Sequence, residues 1–71
     1  MDIREKYYPN ISIEDDLFKK GVIDAFWHVY NRTESEERHL RMISNDSARE
    51  YLDDSDYSIW IERKKHYGIA Y

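Results

Sequence analysis

Between residues 13 and 31 the apolar positions recur with a helical rather than an alternating period. At about 100° per residue, Phe18, Val22, Ala25, Phe26 and Val29 fall in one narrow sector flanked by Ile23 and Tyr30. Lys20, Asp24 and His28 form the opposite ridge at i, i+4 spacing. A strand does not sort its side chains this way, so a long amphipathic helix is expected over about residues 13 to 31. Ser12 and Asp15 are spaced as a capping box at its start, and Glu14, Asp15 and Asp16 suit the positive end of a helix dipole. Leu17 and Trp27 lie outside the main sector, so this helix is expected to need cover on several sides.

Two shorter helices follow. Thr33 and Glu36 form a second capping box, opening a helix over about residues 34 to 43 with Leu40 and Ile43 three apart. Asn45, Asp46 and Ser47 offer caps for a helix over about residues 47 to 53, which places Ala48, Tyr51 and Leu52 on one side. Asn10, Asn31 and Asn45 each begin an Asn-x-Ser/Thr triplet, and these read as helix-start chemistry rather than glycosylation sites.

The last segment carries two patterns. Tyr57, Ile59 and Ile61 alternate with Ser58, Trp60 and Glu62, and the charged run Arg63 to His66 would turn the chain into a second strand ending at Tyr71. On a helical projection Tyr57, Trp60, Ile61 and Tyr67 instead share a face interrupted by Lys64, with Ser55 as a cap. Aromatic and β-branched residues dominate, and Gly68 is a poor interior helix residue, so a β-hairpin over about residues 57 to 71 is expected. The fold class expected is therefore α+β and mostly helical, with all-α as the alternative.

The 71 residues allow one core, so residues 1 to 71 are expected to form a single domain. There is no cysteine, which removes disulfides and thiolate zinc sites. So small a core gains stability from partners, and self-association as a dimer or a complex is expected. The first residues lack the apolar run of a signal peptide, and no apolar stretch approaches the ~20 residues that span a bilayer, so a cytoplasmic protein with no membrane partner is expected.

Charge changes the functional picture. The net charge is −4, and acidity is concentrated in Asp46, Glu50, Asp53, Asp54 and Asp56 against the single Arg49, while Arg63, Lys64 and Lys65 make the following segment basic. Asp53-Asp54-Ser55-Asp56 has neither the glycine nor the distal glutamate of an EF-hand. His28, His39 and His66 have no zinc spacing, and Glu36-x-x-His39 is a single copy of an element that di-iron sites use twice. His39 is better read as bonding its own helix. No serine elbow, cysteine nucleophile or phosphate-cradling glycine loop occurs. No catalytic residue, metal or cofactor is expected, and the chain reads as a non-enzyme.

Eleven aromatic residues, seven of them Tyr, exceed what so small a core should need, and tyrosine is enriched at protein interfaces. The reading that follows is a small acidic interaction module, an inhibitor or adaptor that binds a larger basic protein handling nucleic acid. Its type is similar to small phage and mobile-element inhibitors that mimic DNA. Asp46, Glu50, Asp53, Asp54 and Asp56 would steer, and Tyr57, Trp60 and Tyr67 would anchor. The alternative is a DNA-binding regulator. Residues 33 to 52 resemble a helix-turn-helix unit and residues 57 to 71 its wing, although Met42 stands where the turn glycine is usual. Nucleic acid is a partner only under that reading, through Arg49, Arg63, Lys64 and Lys65.

Overall fold

The computed structural model describes residues 2 to 10 and 17 to 69, and no strand occurs among them. Their helices are α1 (Ile3–Tyr7), α2 (Leu17–Tyr30), α3 (Glu36–Met42), α4 (Asn45–Tyr51) and α5 (Asp54–Tyr67), with a 3₁₀ turn at Tyr8–Asn10 after α1. The capping box at Ser12 and Asp15 and the expected helix start at residue 13 lie outside the described residues, as does Tyr71. No element was read from the sequence over residues 3 to 10.

Helix α2 is the axis of the fold and packs against the other four helices. It buries Val22, Ala25, Phe26 and Val29 of the sector its periodicity marks out, together with the flanking Ile23, while the other flank, Tyr30, is exposed. Ile23, Phe26 and Val29 share one core with Leu40 of α3, Ala48 of α4, Leu52, Trp60 of α5 and Ile69. Each fully buried aliphatic or aromatic side chain contributes about 1.5 to 3 kcal/mol from the area removed from water. Phe18 is a correction to that sector. It sits in the first turn of α2, is 58% exposed, and meets Tyr51 edge-on.

The expected C-terminal β-hairpin is absent, and the all-α alternative is the fold observed. Residues 54 to 67 form α5, and local chemistry explains why. Asp53 caps it, its side chain accepting the Asp56 N–H at 2.8 Å. Gly68, which spoke against a helix, is its stop signal instead. At φ 69° it adopts the left-handed conformation that glycine tolerates best. The N–H groups of Gly68 and Ile69 return to the carbonyls of Lys65 and Lys64, and Ile69 folds back into the core. The buried side chains of α5 are Asp56, Trp60 and Lys64, spaced i, i+4, i+8. Two of those three are charged, so a search for apolar periodicity passes over them and finds the misleading alternation of Tyr57, Ile59 and Ile61.

The short helices also start differently from expectation. Ser44, not Asn45 or its successors, caps α4 by accepting the Ser47 N–H at 3.2 Å. Asn45 turns inward instead, where its Oδ1 accepts from the Trp60 indole at 3.4 Å and from the Lys64 ammonium. At α3 the box between Thr33 and Glu36 does not form. Thr33 Oγ1 accepts the Ser35 N–H at 3.3 Å, and Glu36 leaves the surface to pair with α5.

Candidate interaction surface

Helix α4 lies between α2 and α5, with Ala48 fully buried beneath it. On a helical projection Asp46 and Glu50 share the opposite, outward face one turn apart, and both are exposed. Asp54 is likewise exposed, in the first turn of α5. No hydrogen bond or ion pair among the described residues engages the carboxylates of Asp46, Glu50 or Asp54.

Aromatic side chains border this ridge on both sides. Toward α2, Tyr51 meets Phe18 edge-on at 6.0 Å, with the Lys19 ammonium 6.0 Å from the Tyr51 ring. Leu17 beside them is 67% exposed, so two neighbouring large apolar side chains face solvent here. Toward α5, the Arg49 guanidinium lies over Tyr57 at 5.4 Å. The one basic residue of the segment thus stacks on an aromatic ring and forms no ion pair with the acids around it.

The other predicted partner-binding residues are used inside the fold. Lys6 of α1 bridges Asp53 and Asp56, reaching the latter at 3.0 Å, and the Tyr7 hydroxyl donates to Asp56. The hydrogen bond from Lys6 holds the Asp53 carboxyl below its ordinary range, and burial together with Asp56 pushes the Tyr7 hydroxyl up to about 12. These groups clasp α1 to α5, and Asp56 is buried. Trp60 is fully buried in the core and presents no surface. Tyr67 is half-buried and donates to Glu36 Oε2 at 2.7 Å.

Among the basic residues considered for DNA contact, Arg63 and Lys64 turn inward because the segment is a helix rather than a wing. Arg63 grips the buried Glu36 with two nitrogens, Nη2 at 3.0 Å from Oε2 and Nε on Oε1. Burial alone would raise the Glu36 carboxyl, but the hydrogen bonds from Arg63 and Tyr67 outweigh it and lower it. Lys64 is buried against the Trp60 face with Asn45 Oδ1 as its acceptor and no carboxylate partner among the described residues, and burial lowers its ammonium. Arg49 and Lys65 remain exposed.

Of the predicted partner-binding residues, Asp46, Glu50 and Asp54 are exposed and Tyr57 is covered by Arg49, while Leu17, Phe18 and Tyr51, which the sequence reading did not place at a site, add partly exposed apolar area next to α4. Leu17, lying off the apolar sector of α2, was the available signal for them. His39 Nδ1 lies 2.7 Å from the Ser35 carbonyl of its own helix start, as expected of a locally bonded histidine. Among the described residues no group of three or more His, Asp and Glu is placed to hold a metal ion, and no helix is long and apolar enough to cross a membrane. Comparison of the chain with family models, curated proteins and solved structures finds no match.

Proposed function

We propose that this chain is a small acidic protein-interaction module, an inhibitor or adaptor that docks the outer face of α4 on a larger basic protein that handles nucleic acid. The observation that carries this reading is the presence of carboxylates without a partner among the described residues on α4, whose Tyr51 also meets the exposed Phe18. Asp46, Glu50 and Asp54 supply long-range attraction for a cationic surface, which raises association rates and selects against acidic partners. Leu17, Phe18 and Tyr51 supply apolar and aromatic area that gains free energy only when covered. The proposed role requires no catalytic group. A DNA-binding role has less behind it, since Arg63 and Lys64 are occupied within the fold and the α4 face is acidic.

Two measurements test the reading. The first is affinity capture run side by side with the wild type and with Phe18→Ala and Glu50→Gln variants. A basic partner retained by the wild type and depleted by both variants supports the surface, and one retained equally by all three removes it. The second is anisotropy with random-sequence duplex DNA, beginning near about 50 mM salt. Binding that weakens steeply with added salt would favour the regulator instead.

A further inference from the structure

The α2–α3 hairpin contains a feature that the proposed interaction surface does not use. His28 of α2 and His39 of α3 are stacked face to face, with ring centroids 4.0 Å apart and planes within 10° of parallel. Both rings are oriented by the connection between the two helices. His39 Nδ1 lies 2.7 Å from the Ser35 carbonyl, which can only accept, so that nitrogen carries the hydrogen. His28 Nδ1 lies 2.8 Å from Thr33 Oγ1, the same hydroxyl oxygen that accepts the Ser35 N–H. Neither ring turns away from the other without giving up one of these bonds.

The charges around the pair work against a second proton. From α1, Arg4 lies over Trp27 at 4.8 Å, and the Trp27 ring in turn meets His28 edge-on. From α3, the Arg38 charge acts on His28 along with His39 itself. From α2, Asp24 favours protonation, but its carboxylate is already bound by Lys20 at 2.9 Å and by the Tyr8 hydroxyl. Burial first, and then the positive charges of His39 and Arg38, hold His28 below the ordinary histidine range. One imidazolium is tolerated in the stack, whereas two place like charges at a separation where repulsion is only partly screened.

We propose that the His28–His39 stack is a proton-operated latch on the α2–α3 hairpin, closed while at most one imidazole is charged and released when both are. Release would act beyond the hairpin, because α3 also carries Glu36, whose buried carboxylate holds Arg63 and Tyr67 of α5. The sign follows from the lowered folded value: stability is fully present above the unfolded histidine value of 6.5 and is lost as the pH falls below it. This window opens at 6.5, above the ordinary range of carboxylate protonation.

The test is an NMR titration of the imidazole protons of the whole chain from about pH 8 to about pH 4.5, with thermal melts at the same pH values, on the wild type, His28→Gln and His39→Gln. A His28 midpoint below the ordinary histidine range is expected in the wild type. In His39→Gln the His28 midpoint should rise. The wild-type melting temperature should fall by about 4 °C or more between about pH 7 and about pH 5, and by less than half of that in either variant. A His28 midpoint at the ordinary value and unmoved in His39→Gln, or a melting temperature flat over that window, would overturn the latch. Should a variant not fold, the wild-type titration and melts decide alone.

Discussion

Glu36 and Glu50 are the same side chain on two helices of equal length, yet one is buried and held by three donor groups while the other stands in solvent with no partner among the described residues. The α3–α5 seam is a closed system: Glu36, Arg63 and Tyr67 satisfy one another, which is the condition under which charge is tolerated inside a protein. The α4 ridge is open, and Asp46, Glu50 and Asp54 keep their charge available to something outside the fold. Acidity therefore has two uses in this chain. Composition alone cannot separate them, because the difference lies in which helix face each residue occupies and what packs over it.

The contrast can be broken most forcefully at the seam. Glu36→Ala leaves Arg63 without its counter-charge and should cost about 3 to 5 kcal/mol, read from urea unfolding, as much as opening the core with Phe26→Ala. A loss below about 1 kcal/mol for Glu36→Ala would show that the buried pair is replaceable by water. The same pair makes an acid-side prediction. Because the folded carboxyl is lowered from 4.5, its contribution is fully present above that value and is lost as the pH falls through the folded one. The stability difference between wild type and Glu36→Gln should therefore shrink on going from pH about 7 to pH about 3.

Lys64 sharpens the comparison from the opposite side, being a buried charge with no carboxylate partner among the described residues. Lys64→Met should raise stability by about 1 kcal/mol or more at neutral pH. In the wild type this penalty is fully present below the lowered folded value and disappears as the pH rises toward 10.5, so the gain from the substitution should fade in alkaline melts. A destabilised Lys64→Met would mean that the hydrogen bond to Asn45 outweighs the burial of charge. Phe18→Ala should cost under about 1 kcal/mol, because the side chain is more than half exposed and meets Tyr51 edge-on. The smallest stability effect belongs to the open ridge. Asp46→Asn, Glu50→Gln and Asp54→Asn together should leave stability within about 0.5 kcal/mol while slowing association with a basic partner and flattening its salt dependence. Unchanged association kinetics would remove the ridge from the proposed function.

How much of this was legible beforehand differs from element to element. The buried face of α2 was readable because five apolar residues repeat with the helical period and nothing charged interrupts them. Helix α5 was misread because Asp56 and Lys64 occupy its buried face, and because Gly68 stops the helix rather than lying within it. At the candidate surface, the acidity of Asp46, Glu50 and Asp54 was legible from charge alone, and their exposure only from the fold. Asp53 and Asp56 have the same composition but are engaged by Lys6, forty-seven and fifty positions away in sequence, a contact that no local pattern encodes.

Local chemistry written in the sequence determined the amphipathic α2, the αL stop at Gly68 and the concentration of acid between residues 46 and 56. These depend on a residue and its near neighbours along the chain, through periodicity, backbone freedom and side-chain charge. Only the tertiary structure decided which carboxylates face outward, that Trp60 fills the core and that Phe18 does not, and that His28 meets His39 across two helices. Those outcomes turn on desolvation, which falls on a charged or aromatic group according to what distant segments place over it.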